Sequence, residues 1–127
     1  MASFTNYLED ALLDHVFNNS ALTSPATTYA AIFTVAPGEG SGGTEVSGSG
    51  YARQAISFGA SSGGAIASTA DVSFTASGGN FGSVVAFAIF DASTGGNMLA
   101  YDAITPKTID DGDTLTLATG QINLTLD

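Results

Sequence analysis

The spacing of hydrophobic positions changes once along this chain, near Pro25. Before it, Phe4, Leu8, Ala11, Leu12, His15 and Val16 recur at three- and four-residue intervals, with Glu9, Asp10 and Asp14 outside the stripe. That period predicts an amphipathic helix over about 4–18. Asn6 with Glu9 three residues later reads as a capping arrangement, the early acids suit the positive N-terminal end, and Asn18–Asn19 reads as the stop. A helix of about 14 residues is marginal alone in water, so this one must dock on something.

Beyond Pro25 the pattern alternates. Tyr29, Ala31, Phe33 and Val35 interleave with Ala30, Ile32 and Thr34, a strand ended by Pro37 and Gly38. Residues 38–50 hold six glycines with Ser, Thr and two Glu, which predicts a long flexible loop or one that orders only against a partner. Its internal removal is therefore expected to leave the fold intact. Alternation resumes over 51–58, and again at Val72 and Phe74 before the Gly78–Gly79 turn. The run 83–90 is apolar on both faces and belongs in the middle of a sheet. Residues 91–97 make a turn of self-bonding side chains. Strands are then expected over 98–104 and 107–109, followed by Leu115 with Leu117 and by Ile122, Leu124 and Leu126. The resulting expectation is a single domain over 1–127. It is mainly β, an antiparallel β-sandwich of jelly-roll or Ig-like type with about seven or eight strands and one N-terminal α-helix.

Composition narrows the chemistry. Two basic side chains, Arg53 and Lys107, stand against 12 carboxylates, for a formal net charge of −10. Two cations cannot build a phosphate-binding face, so neither nucleic acid nor an anionic membrane surface is an expected partner. The absence of Cys excludes disulfides, thiolate catalysis and Cys-ligated zinc. The first ten residues hold no cation and two acids, which does not resemble a secretory signal. No apolar run reaches the ~18 residues of a membrane span. A chain made and kept inside the cell is the expectation.

Each candidate for chemistry has a plainer reading. His15 is the only histidine and no nucleophile–base pair accompanies it, so a packed or interface role is expected. Asp110, Asp111 and Asp113 surround Gly112 without EF-hand spacing and read as a turn, as do Asp91 and Asn97. The Gly-rich run at 38–43 lacks the Lys and following helix of a phosphate loop. No catalytic residue, metal or cofactor is expected, and the chain is read as a non-enzyme. Arg53, beside Tyr51 and after the loop, is either half of a surface pair with Glu39 or Glu45 or an interface anchor.

Five segments carry a family resemblance. They are FTNYLEDALLDHV at 4–16, YAAIFT at 29–34, GGTEVSGSGYARQ at 42–54, FDASTGGNMLAY at 90–101 and LTLD at 124–127. In this order they resemble a family of small tailed-bacteriophage virion structural proteins, often labelled tail-fibre proteins and related to capsid cement proteins. The resemblance implies a virion location and a structural role. The reading it supports first is a capsid decoration protein, a trimer bound to the major capsid protein on the outside of the shell. The alternative is a tail-associated adaptor, baseplate or fibre-attachment protein. Phe4, Tyr7 and His15 near the helix, with Glu45, Tyr51 and Arg53 around the loop, are the expected interface residues.

Overall fold

The computed structural model describes residues 2–126. Among them the chain runs β1 (Ser3–Phe4), α1 (Asn6–Phe17), β2 (Thr28–Val35), β3 (Thr44–Glu45), β4 (Gln54–Ile56), β5 (Ala65–Ala67), β6 (Val72–Thr75), β7 (Gly82–Phe90), β8 (Met98–Ile109), β9 (Thr114–Leu117) and β10 (Asn123–Thr125). It is a mainly β, antiparallel sandwich with one N-terminal helix, as the periodicity predicts. The main sheet runs β1-β8-β7-β2-β3, and β4 also pairs with β2. The second layer is two ribbons, β6 with β9 and β5 with β10.

The doubly apolar run becomes β7, central between β2 and β8. On one face Ala30, Ile32, Val84, Phe87, Ile89 and Ala100 meet Val72, Phe74, Leu115, Leu117 and Ile122 of the second layer in one buried cluster. On the other face Ala31, Phe33, Ala86, Ala88, Phe90 and Met98 form a second buried group. Burying each large side chain contributes roughly 1.5–3 kcal/mol, so strand alternation sets the layering. The outer face of the β6–β9 ribbon is made of hydroxyls instead. Ser73 bonds Thr116 at 3.0 Å and Thr75 bonds Thr114 at 2.8 Å.

Several boundaries differ from the sequence reading. Residues 98–104 and 107–109 form one strand, because a bulge sets Val85 alone opposite 104–106. Pro106 falls within that bulge, where no ladder donor is required of it. Only Gln54–Ile56 of 51–58 is strand. The helix is shorter than expected, and Phe4 lies in β1, packed against the inner core. Thr5, not Asn6, caps the helix: its hydroxyl accepts from Leu8 N at 3.4 Å and its carbonyl from Glu9 N at 3.0 Å. Asn18 does stop it, its N–H donating to Asp14 O at 3.0 Å.

Candidate interaction surfaces

The segment 38–50 is tied to its own chain along its length. Asn6 N donates to Glu39 O at 2.9 Å, Val46 N to Ile32 O at 3.0 Å and Ser77 N to Ser49 O at 2.8 Å. Val46 is buried in the inner core. The composition predicts a long flexible loop or one that orders only against a partner; the hydrogen-bonding needs of the β2 edge give the segment an intramolecular course.

That edge also explains the polar cluster. β3 pairs with β2 at Phe33 and β4 pairs with it from Ala30, leaving Ile32 between the two short strands. The Ile32 N–H donates to the Tyr51 hydroxyl at 3.3 Å, so a side chain completes the ladder. The same hydroxyl donates to Glu45 Oε2 at 2.5 Å. The Tyr51 ring stacks on Phe74 with centroids 6.0 Å apart and meets Phe81 edge-on at 5.9 Å.

Arg53 closes the cluster from outside. Its Nε and Nη2 donate to Glu45 Oε2 and Oε1, each at 2.9 Å, a bidentate pair. Nη1 donates to the carbonyls of Ala92 at 2.9 Å and Gly95 at 2.8 Å. The guanidinium carbon lies 3.7 Å from the centroid of the Phe90 ring. The turn that supplies the carbonyls is fixed by Asp91, whose carboxylate accepts from Asn97 N at 2.7 Å and Nδ2 at 3.0 Å. Gly96 is required there: its φ is +71°, and a Cβ would collide with the Asp91 carboxylate. Arg53 therefore clamps β3 to the β7–β8 turn, and its side chain is only 8% exposed.

The charge states follow from this geometry. Burial pushes the Glu45 carboxyl up, but hydrogen bonds from Arg53 and Tyr51 and the guanidinium charge outweigh it, leaving Glu45 below its ordinary value. Burial, and then donation to the Glu45 carboxylate, drives the Tyr51 phenol well up. The hydrogen bonds to Glu45 hold Arg53 above its ordinary value against its own desolvation. At neutral pH the cluster is an ion pair with a neutral phenol.

The helix is the opposite kind of surface. It packs against β1 and β8, yet none of its residues is buried. Leu8, Ala11 and Leu12 are half-covered, whereas Leu13 is 58%, Val16 65% and Phe17 81% exposed. Tyr7 is also exposed, and so is His15, whose Nδ1 accepts from Leu22 N at 3.1 Å. What holds the helix is its first turn. The buried Thr5 hydroxyl donates to Met98 O at 2.7 Å and its N–H to Leu99 O at 2.9 Å. The six residues expected at an interface thus separate: Glu45, Tyr51 and Arg53 converge in the clamp, Phe4 packs inward, and Tyr7 and His15 lie open on α1. Sequence reasoning missed Thr5 and Phe90. The signal for Thr5 was its place three residues before Leu8, a spacing that Asn6 and Glu9 share.

Three further acids build turns. Asp111 accepts from Gly78 N at 3.0 Å, Asp113 from Asp110 N at 3.0 Å and Asp71 from Thr119 N at 2.8 Å. Among the described residues no group of three His, Cys, Asp or Glu is placed to hold a metal ion. No helix among them is long and apolar enough to cross a membrane.

Comparison with known proteins places the chain in a family. A family model described as "Podophage GP4 fiber I protein gp80" matches residues 3–125. A search of curated proteins returned no match.

Proposed function

The chain belongs to the podophage GP4 fiber I protein gp80 family, and from that premise we propose that it is a fibre-attachment module of the phage tail. Family membership makes it a virion structural protein of tailed phages. The fibre description favours the tail over the capsid decoration role that the sequence first suggested. The observation that carries an adhesive reading is α1, a helix with no buried residue set on a sandwich whose two apolar groups are already covered. Its mechanism is differential affinity: the module binds an assembled site better than free subunits, and so shifts assembly towards the completed particle. No chemistry is required of it, and its own copies, as a trimer, are compatible with that role.

Copy number tests the station. Quantitative mass spectrometry of washed virions should find the chain in the ratio of tail components. A ratio near that of the major capsid protein would instead restore the decoration reading, and absence from the particle would remove both.

A further inference from the structure

The exposed end of α1 combines two features with a consequence for the partner. Leu13, Val16 and Phe17 lie three and four residues apart and so form one strip, adjoining the half-covered Leu12. Exposures of 58%, 65% and 81% on three large apolar side chains of one helix end are not explained by anything they cover within the chain. The strip is bordered by carboxylates. Glu9 and Asp10 lie one turn before Leu13, Asp14 lies one turn before Phe17, and all three are exposed. The partial negative charge of the helix C-terminus adds to the same sign.

An acidic border selects the occupant. A second copy of this chain would bring a formal −10 and only two cationic side chains. Arg53 is spent on Glu45 and on the 91–97 turn, and Lys107 alone cannot balance three carboxylates. Anionic membrane is disfavoured on the same ground. We propose that Leu13, Val16 and Phe17 of α1 seat in an apolar groove, rimmed by Lys and Arg, on a different virion protein. The partner's being a virion protein rests on the fibre-attachment reading; its chemistry rests on the strip alone. The helix then docks as an amphipathic ligand, with Phe17 as its deepest anchor and the acids fixing its orientation. Because Thr5 pins the first turn to β8, the helix is presented already formed and little ordering entropy opposes binding.

The probe is purified particles assembled without this chain, to which the full-length protein is added. Wild type should bind saturably, with affinity falling as salt rises, because opposite charges meet at the rim. Phe17→Asp should lower the affinity by about tenfold or more with an unchanged melting temperature, since the side chain touches little of its own fold. Glu9→Lys together with Asp10→Lys should also weaken binding and flatten the salt dependence. Equal binding of wild type and Phe17→Asp overturns this inference and leaves the fibre reading standing. No binding of wild type to particles overturns the fibre reading itself. A free protein that self-associates through α1, and that Phe17→Asp converts to monomer, would make a second copy the occupant and refute the heterologous groove.

Discussion

The clamp and the helix start from comparable materials, an aromatic side chain, carboxylates and a lone ionisable base, yet they end on opposite sides of the same ledger of contacts. In the clamp, Glu45, Tyr51 and Arg53 exhaust one another: a carboxylate takes two guanidinium bonds and a phenol, and a ring face lies 3.7 Å below the charge. On α1, Phe17 is 81% exposed and Glu9, Asp10 and Asp14 face solvent. The difference lies in what the neighbouring backbone requires. Where two short strands leave Ile32 N–H at a sheet edge, polar side chains are drawn in to satisfy it. The helix satisfies its own backbone, so nothing pulls its side chains inward and they remain available. A rare cation therefore marks where the fold is locked, and a spare apolar strip marks where it meets something else.

The contrast can be broken most severely at the clamp. Deleting 40–49 removes β3, Glu45 and the buried Val46 together, and is expected to lower unfolding free energy by about 4 kcal/mol or more. Retention of wild-type stability would return the segment to the status of a dispensable loop. Arg53→Ala strands Glu45 and the carbonyls of Ala92 and Gly95. It should cost about 3 kcal/mol in denaturant titration. A loss under about 1 kcal/mol would make it an ordinary surface pair. Tyr51→Phe keeps the ring packing but leaves Ile32 N–H without its acceptor and Glu45 without one donor. About 1–2 kcal/mol is expected.

Those residues also mark how far the sequence could be read. Strands follow from period-two spacing, which burial on both faces of β7 enforces, so the sheet and its central strand were legible. The tailed-phage resemblance was legible too, from segments spread over most of the chain, and the match to 3–125 agrees with it. The direction of Arg53 was not. Its partners Ala92 and Gly95 are backbone carbonyls 39 and 42 residues away. No residue type announces a carbonyl's orientation. The course of the Gly-rich run 38–50 was not legible for a related reason, because glycine permits turns without saying which way they lead. Six positive-φ positions in it, Ser41, Gly42, Gly43, Gly48, Ser49 and Gly50, shape its path. The helical stripe was legible at Leu8, Ala11 and Leu12, but Phe4 lies in β1, and periodicity alone could not show that the far end, at His15 and Val16, stays exposed.

Acid should sharpen the comparison with a smaller effect. Glu45 titrates below its ordinary value in the folded chain, so its contribution to stability is complete above the unfolded value of about 4.3 and is lost as pH falls through the folded one. The informative quantity is the difference between wild type and Glu45→Gln, which isolates this one carboxylate. That difference should be constant from neutral pH down to about 4.5 and shrink below it. A difference that stayed constant well below that pH would mean that the Arg53 pairing does not depend on Glu45 ionisation.

The smallest expected effect on stability carries the most weight for function. Phe17→Ser with Leu13→Ser alters two side chains that are 81% and 58% exposed at the free end of α1. Helix propensity changes by a few tenths of a kcal/mol at each site, so the melting temperature should move little. Thr5 remains to hold the first turn, and neither substituted side chain belongs to the clamp. If this double variant instead melts as far below wild type as Arg53→Ala does, the helix is a stability element whose cover lies within the chain. If stability holds while particle association falls, the two regions divide the work as their contacts indicate: one keeps the sandwich closed and the other joins it to its neighbour.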